Sequence, residues 1–361
     1  MSAYRIALDV MGGDFAPEAT LLGALDALKA WPELQITLVG PEDLLREKCN
    51  SKEWTPDLKA RTVIAHAPSV VDFHDQPTII LKEKKDSSIR VAAQLVREGV
   101  CDGMVSLGHT GAAMVASTLV IGKLEGIDRP GLASPMPSPK ATPTLLIEVG
   151  ASIDSRPEHL ACFGLMGSIY AEQVFQVNRP SIAVMSVGEE ETKGTEVTLK
   201  AAELLRKTNL NFKGNAEGRD LWNGKFDVIV CDGYVGNALL KSAEGTAKLL
   251  KNGIKEALTS SWLARAGSLL IMKPLRTFFK KLDYKEFGGL PLLGIKGVSI
   301  IGHGSSDARA VKNAIRAAMT NIEHDLPRRI AEGLTKLGSA LQRSLGFFQV
   351  KGPNLSGWER P

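Results

Sequence analysis

The sequence predicts an α/β fold in which a mainly parallel sheet is flanked by helices. Three observations lead to this prediction. Short, almost continuously apolar runs alternate along the chain with stretches of helical periodicity. Most of these runs end in a turn rich in glycine, and the helical stretch follows that turn. Strands that are buried on both faces have this appearance, and right-handed βαβ units connect them.

The first strand is predicted at residues 4–10 (YRIALDV), which are apolar and rich in strand-favouring residues. Pro17 then opens a helix, because leucines at positions 21, 22, 25 and 28 fall on one helical face. A second strand is predicted at residues 34–39, and Pro41 opens a more polar helix after it. The chain therefore begins as two successive strand–helix units.

The same alternation continues to residue 322. Further strands are predicted at residues 103–106, 181–187, 226–231 and 297–301. Each of these strands precedes a predicted helix, at residues 112–121, 196–207, 238–258 and 307–322.

Residues 122–143 are rich in proline and small residues, and we place the crossing between two lobes there. We predict one catalytic unit over residues 1–330. One lobe is formed by residues 1–140 together with 296–330, and the other by residues 141–295. Residues 331–361 carry a modest helical pattern and then a polar end, so we expect a peripheral C-terminal extension.

The composition excludes several classes of protein. With 44% hydrophobic and 23% charged residues, the 361-residue chain is neither disordered nor fibrous. A net charge of +4 is too small to indicate nucleic acid binding. The four cysteines lie far apart, which favours free thiols and no bound metal. No apolar run is long enough to span a membrane and no signal peptide is evident, so we expect a cytoplasmic protein.

Five predicted strands end in polar turns that contain glycine, and we expect the ligand to bind there. Because carboxyl ends of parallel strands meet at one edge of a sheet, the five turns are expected to lie together. Glycine lets the backbone approach a ligand, and the following helix offers N–H groups to an anion, most simply phosphate. For a single turn, a glycine that merely closes a tight loop is an equally good explanation. The turns are residues 9–14 (DVMGGD), 106–111 (SLGHTG), 188–194 (GEEETKG), 232–237 (DGYVGN) and 302–306 (GHGSS).

No turn matches the glycine pattern of dinucleotide-binding or P-loop proteins, so we expect no such cofactor. Lys193 is either a surface charge among glutamates or a cation at the ligand edge. Asn237 is a helix cap, a hydrogen-bond donor to the ligand, or both. Residues 217–220 (EGRD) form either a surface ion cluster or a group that orients the ligand. The candidate substrate-binding residues are Asp9, Gly12, Gly13, Asp14, Gly108, His109, Thr110, Gly111, Glu217, Arg219, Asp232, Gly233, Gly236, His303 and Gly304.

At these residues the sequence resembles the phosphate acyltransferases of bacterial phospholipid synthesis, the PlsX family, over about residues 5–323. The resemblance implies two lobes around a cleft, as in isocitrate and isopropylmalate dehydrogenases, and a homodimer. Leu107, His109 and Glu148 depart from the family's usual alanine, asparagine and aspartate. The segments that carry the resemblance are DVMGGDFAPE, SLGHTGA, RPEHLACFGLMGSIYA, GEEETKGTE, GNAEGRD, VCDGYVGNALLK and GGLPLLGIKGVSIIGHGSSDARAVKNAI.

The resemblance also implies a reaction. A long fatty acyl group would pass from the thioester of acyl carrier protein to inorganic phosphate, giving acyl phosphate without metal or cofactor. By similarity, Lys193 would balance charge on phosphate and on the developing oxyanion, and Asn237 would donate to the oxyanion. Phosphate is already a nucleophile and a thiolate is a good leaving group, so positioning and charge matter more than a strong base.

Three other interpretations remain open at this stage. The enzyme could use acyl coenzyme A instead of acyl carrier protein. It could be a hydroxyacid dehydrogenase of similar fold, although the sequence offers no metal cluster. It could also be a catalytically silent scaffold of lipid synthesis at the membrane.

Two surfaces are expected to meet partners. Residues 262–282 (WLARAGSLLIMKPLRTFFKKL) combine apolar bulk with basic residues that can meet anionic headgroups, and Pro274 is expected to break this projecting segment into two short helices. Attachment to the inner face of the membrane and burial in a dimer interface are equally good explanations. Lys82, Lys84, Lys85 and Arg265 are candidates for docking the acidic carrier protein, against the alternative of solvated surface charges.

Overall fold

The computed structural model describes residues 4–282 and 286–345, with side chains for residues 4–279 and 286–337. Its described strands form one eleven-stranded sheet in the order β3-β2-β1-β4-β11-β10-β5-β6-β9-β7-β8. The strands are β1 Tyr4–Asp9, β2 Leu34–Gly40, β3 Thr62–His66, β4 Gly103–Ser106, β5 Gly131–Met136, β6 Thr144–Ile147, β7 Ile182–Met185, β8 Phe212–Ala216, β9 Val228–Val230, β10 Leu290–Leu293 and β11 Val298–Ile301.

Helices cover both faces of this sheet. They are α1 Glu18–Ala30, α2 Glu42–Cys49, α3 Pro56–Ala60, α4 Ser88–Arg97, α5 Thr110–Val115, α6 Pro157–Val174, α7 Glu196–Arg206, α8 Gly233–Thr259, α9 Trp262–Leu282, α10 Ala308–Glu323 and α11 Leu326–Leu345. The sheet is mainly parallel, as predicted, because seven of its ten strand pairings are parallel.

The three antiparallel pairings lie together in the middle of the sheet. They join β11 to β10, β10 to β5, and β5 to β6. The sequence pattern does not predict β5, β6 or β10, because they are short and β5 lies in the proline-rich stretch that suggests a crossing between lobes. Their effect is large, since an odd number of reversals makes β6 and the strands beyond it run opposite to β1, β4 and β11.

Three large clusters of buried side chains, and a small fourth one at Ala161, Val184 and Leu205, hold the layers together. One cluster extends along one face of the whole sheet and includes Ala7, Met104 and Ile229. On the other face, α1 and α10 cover the first half of the sheet, and α6 and α11 cover the second. The close approach of α1 and α10 requires glycine, because a Cβ on Gly23 would lie 2.4 Å from the Cβ of Val311.

Two expectations about helices are wrong. Pro274 does not divide its segment, since it lies inside the continuous helix α9. The only backbone acceptor that it leaves without an N–H partner is the carbonyl of Leu270, and that residue is 86% exposed, so water can satisfy it. The start of the C-terminal extension is also not peripheral, because Ala331, Leu334 and Leu337 are buried against α6. Residues 346–361 of that extension lie outside the described residues.

Candidate active site

The glycine turns form two groups rather than one. The first group follows β1, β4 and β11, which are parallel neighbours. The second follows β6, β9, β7 and β8, which are also parallel neighbours but run in the opposite direction. The expectation that all five turns share one edge of the sheet is therefore wrong, and the reason is the reversal at β10, β5 and β6.

Direct backbone contacts join the turns of the first group. The N–H of Asp14 donates to the carbonyl oxygen of Gly304 at 2.8 Å. Gly12 and Gly108 face each other so closely that a Cβ on Gly108 would lie 2.8 Å from the Cα of Gly12. Gly13 adds a positive φ of 113°. These glycines are needed because the three strand ends meet without room for side chains.

Asp9 supports this group from beneath. The side chain is 2% exposed, and Ser106 Oγ donates a 2.7 Å hydrogen bond to its Oδ2 atom. Burial raises the pKa of Asp9, and hydrogen bonds from Ser88, Ser106 and the N–H groups of Met11 and Gly12 oppose that rise. Asp9 therefore stabilises the conformation of the turn rather than contacting a ligand on its solvent-exposed side.

His109 is the N-cap of α5. Its Nδ1 atom accepts from the N–H of Ala112 at 3.2 Å, and its Nε2 atom lies 3.0 Å from the carbonyl oxygen of Asp75, to which it donates. Both ring nitrogens therefore already have a partner. Thr110 and Gly111 follow in the first turn of α5, and a Cβ on Gly111 would lie 2.7 Å from the ring of Pro77.

His303 is exposed at the end of β11. Its Nδ1 atom lies 3.2 Å from the N–H of Ser305 and 2.9 Å from the hydroxyl of the same serine. The backbone carbonyl of His303 accepts from the Ser306 hydroxyl at 2.6 Å. The turn after β11 is thus closed by local hydrogen bonds, with the ring on its outer side.

In the second group, the Lys193 side chain is exposed while its backbone is firmly held. Its carbonyl oxygen accepts 3.0 Å hydrogen bonds from Ser186 Oγ and from Asn215 Nδ2. Asn215 also donates to the carbonyl of Glu190 at 2.7 Å, so β7 and β8 fix the turn together. Among the described residues, no ion pair is formed by Lys193.

Two of the three glutamates that precede Lys193 in its turn, Glu189 and Glu191, are paired with other cations. Glu189 pairs with Arg219 at 3.1 Å and with Lys225 at 3.0 Å, and Glu191 pairs with Arg206 at 3.2 Å. These contacts weaken the interpretation of Lys193 as the partner of Glu189 or Glu191.

The cluster at residues 217–220 is built around a buried carboxylate. Asp220 is 1% exposed and accepts from the N–H of Glu217 at 2.9 Å and from Asn223 Nδ2 at 2.7 Å. Arg219 pairs with Glu217 at 3.0 Å in addition to Glu189. The ion pairs connect the turn after β8 to the turn after β7.

Asn237 lies one turn inside α8 and is exposed. The N-cap of this helix is Asp232, whose Oδ1 atom accepts from the N–H of Val235 at 2.9 Å. The alternative in which Asn237 caps the helix is therefore wrong. Because β9 is the direct neighbour of β7, the turns that carry Asn237 and Lys193 follow adjacent strands.

Sequence reasoning missed the turn after β6. Glu148 is completely buried, has a φ of 90°, and accepts hydrogen bonds from the N–H groups of Leu132, Gly150, Ala151 and Ser152. Burial raises its pKa, and these four donors oppose the rise. The signals in the sequence were the departure of Glu148 from the family's usual aspartate and the glycine two residues after it, and neither indicated a buried carboxylate.

No group of three or more potential metal ligands occurs in the described part of the chain. Among the described helices, none is both long enough and apolar enough to cross a membrane.

The chain matches known proteins over most of its length. Residues 4–329 match the family described as fatty acid synthesis protein. A phosphate acyltransferase of Pelotomaculum thermopropionicum is 46% identical over 333 residues, which are 92% of this chain and 96% of that protein.

Two solved structures have a similar fold. A phosphotransacetylase from Streptococcus pyogenes has a TM-score of 0.59 at 16% identity, covering 89% of this chain and 94% of that one. A 4-hydroxythreonine-4-phosphate dehydrogenase from Klebsiella pneumoniae has a TM-score of 0.50 at 14% identity, covering 89% and 100%. These likenesses confirm the predicted dehydrogenase-like α/β fold.

Proposed function

The chain belongs to the fatty acid synthesis protein family of phosphate acyltransferases, and from that premise we propose that it transfers a long-chain fatty acyl group from acyl carrier protein to inorganic phosphate. The products are acyl phosphate and the free thiol of the carrier. The observation that carries the proposal is the pair Lys193 and Asn237, exposed on turns after the neighbouring strands β7 and β9.

The pair suits the charges of this reaction. A phosphate oxygen attacks the thioester carbonyl carbon, so a C–O bond forms and negative charge develops on the carbonyl oxygen. When the oxyanion collapses, the C–S bond breaks and the thiolate leaves, to be protonated by solvent. Lys193 lowers the energy of both the phosphate and the oxyanion, and Asn237 supplies a neutral N–H donor. Phosphate is already deprotonated at neutral pH, so no strong base is needed.

The environment of Lys193 supports this role. The nearby carboxylates of Glu189 and Glu191 are engaged by Arg219, Lys225 and Arg206. An anionic substrate therefore meets the ammonium group without displacing a resident ion pair, and the fixed backbone limits the freedom that substrate binding must remove.

The first group of turns is proposed to bind the rest of the substrates. Adjacent strands rotate by roughly 20–25°. Five neighbouring pairs of strands lie between β4 and β9 in the sheet order. The twist of the sheet would therefore rotate the strand direction by about 100–125° between β4 and β9. This rotation offsets much of the reversal at β10, β5 and β6, so both groups of turns can face a common cleft between two lobes. Gly12, Gly13 and Gly108 would let the backbone approach the ligand there.

The α8–α9 hairpin is proposed to contact a membrane surface, a second copy of the chain, or both. Among its described side chains, only Gly233, Gly236 and Ser268 are buried. Its exposed apolar residues lie next to basic ones, as peripheral membrane helices require. These exposed residues are Leu249, Leu250, Trp262, Leu263, Leu269, Leu270, Ile271 and Phe278.

The docking site for the acidic carrier protein is proposed to lie on basic residues near the cleft. Lys84 is less suited to it than expected, because it pairs with Asp75 at 2.6 Å and with Asp72 at 3.4 Å. Lys82, Lys85 and Arg265 remain exposed. Binding through them would weaken as salt rises.

The decisive experiment incubates the protein with palmitoyl-loaded acyl carrier protein and phosphate, and traps acyl phosphate with hydroxylamine. We expect phosphate-dependent formation of the hydroxamate. A parallel reaction with palmitoyl coenzyme A tests the other donor, and faster turnover of that thioester would reassign the substrate. No hydroxamate from either donor, even at high enzyme concentration, would favour a silent scaffold and reject the proposal.

A further inference from the structure

Glu148 is a completely buried carboxylate in a turn of the second group, so it cannot meet a substrate. We infer that Glu148 is a positioning residue, which fixes the place of Asn237 by holding the turn at residues 148–152 against the first turn of α8. The inference rests on the proposed role of Asn237.

The Glu148 carboxylate holds its own turn at several points. Its Oε1 atom accepts from Gly150 at 2.7 Å, from Ser152 at 3.2 Å, and from Ala151. Its Oε2 atom accepts from the N–H of Leu132 in the neighbouring strand β5 at 3.1 Å. One side chain therefore sets the curvature of the turn and its register on the sheet.

The turn is in direct contact with α8. The N–H of Gly233 donates to the carbonyl oxygen of Ser152 at 3.0 Å. A Cβ on Gly233 would lie 2.8 Å from Glu148 Oε1, and a Cβ on Gly236 would lie 2.0 Å from the Glu148 carbonyl oxygen. No methyl group fits between the turn and the helix, so a movement of one is passed to the other.

Asn237 lies at the end of this chain of contacts. The Cβ, Cγ and Oδ1 atoms of Asn237 all lie 3.5–3.6 Å from the position that a Cβ on Gly150 would occupy. Gly150 has a φ of 132° and is held by Glu148 itself. The Asn237 side chain therefore lies beside the turn that Glu148 shapes, and the helical turn that carries Asn237 is held against it at Gly233 and Gly236.

The substitution Glu148→Gln tests this inference. A glutamine presents one N–H₂ group where the native carboxylate only accepts, so one of the four backbone donors loses its partner and the turn shifts. A misplacement of about 1 Å near the reacting atoms can reduce the rate by up to roughly a hundredfold. We expect kcat for acyl phosphate formation to fall by at least about tenfold, with KM for phosphate nearly unchanged, because Lys193 is not moved.

The role of Asn237 in that loss is tested by a double-mutant cycle. In the Asn237→Ala background, Glu148→Gln should cause little further loss of kcat, because nothing remains to be positioned. Asp227→Asn is the matched control. Asp227 is a largely buried carboxylate just before β9, where it accepts from the N–H and the hydroxyl of Ser181. Asp227→Asn should lower the free energy of unfolding, and any change that it causes in kcat should be the same in the wild-type and Asn237→Ala backgrounds.

The outcomes separate the inference from the proposed function. Normal kcat in Asn237→Ala would reject the proposed role of Asn237, and with it the inference. A normal kcat in Glu148→Gln, or an equal loss in both backgrounds, would overturn the inference alone. If Glu148→Gln does not fold, Gly233→Ala, whose Cβ would lie 2.8 Å from Glu148 Oε1, enters the same cycle with the same expected dependence on Asn237.

Discussion

The Ser106 hydroxyl donates a 2.7 Å hydrogen bond to Asp9 across 97 positions of the sequence, and both residues are buried. The bond joins the ends of β1 and β4, where two glycine turns begin. Because Asp9 is buried, its carboxylate depends on such donors to remain in place.

Ser106→Ala is expected to lower the free energy of unfolding by about 1–3 kcal/mol, since it removes one of the few donors to a buried carboxylate. Urea unfolding followed by circular dichroism measures this loss. Ser51→Ala is the control, because Ser51 makes a similar 2.6 Å hydrogen bond to Glu53 but on an exposed surface. Equal changes in the two variants would contradict a special role for the buried bond.

Gly236→Ala should damage the enzyme although alanine favours helices. The new Cβ would lie 2.0 Å from the Glu148 carbonyl oxygen, and that backbone atom cannot move without moving the turn. We expect lower stability and lower kcat. Gly245→Ala in the same helix meets nothing within 4 Å. It should instead stabilise α8 by up to about 1 kcal/mol. Thermal unfolding and turnover of both variants test this prediction. Similar melting temperatures and similar kcat values for Gly236→Ala and Gly245→Ala would contradict the close contact between Gly236 and Glu148.

The ionisation of Tyr170 is expected to lower the free energy of unfolding at alkaline pH. Burial raises the pKa of Tyr170 to about 12, although a hydrogen bond to Asn321 partly opposes the rise. In the unfolded chain the pKa of this tyrosine should be about 10. The folded state therefore keeps the proton longer. Stability is complete below about pH 10 and declines by about 1.4 kcal/mol per unit up to about pH 12.

The Tyr170→Phe variant isolates this contribution. Between pH 10 and pH 12, its unfolding free energy should decline less steeply than that of the wild type, because the phenolic proton is gone. Parallel slopes for the two proteins in urea unfolding would show that Tyr170 titrates alike in the folded and unfolded states.

Leu270→Asp and Phe278→Asp are expected to abolish sedimentation with vesicles of anionic phospholipid. Both side chains are exposed in the single chain, so the fold should survive. Leu22→Asp places a carboxylate on the exposed face of α1 and should leave sedimentation unchanged. Unchanged sedimentation of the α9 variants, together with loss of a dimer in analytical ultracentrifugation, would assign the hairpin to the interface between copies.

The sequence was informative where the signal was local. Lys193 and Asn237 could be proposed from the sequence because each follows an apolar strand and adjoins a glycine, and both features lie within a few residues. Glu148 could not, since its partners Leu132 and Gly233 are 16 and 85 positions away and only the fold brings them together. The same limit applies to β5, β6 and β10, whose antiparallel pairings separate the turns into two groups.

The central claim is that Lys193 and Asn237 act as one catalytic unit, and turnover of the Lys193→Ala variant at saturating phosphate tests it most directly. Removing the ammonium group should raise the barrier by on the order of 3 kcal/mol, roughly a hundredfold in rate. Asn237→Ala should cost a similar amount if Asn237 donates to the oxyanion, and the double variant should be little worse than the poorer single one. Lys200→Ala is the control. It removes an exposed lysine that pairs with Glu196 within α7, the helix that follows the Lys193 turn, and should retain normal turnover. Near-normal turnover by folded Lys193→Ala would contradict the claim and make Lys193 a surface charge.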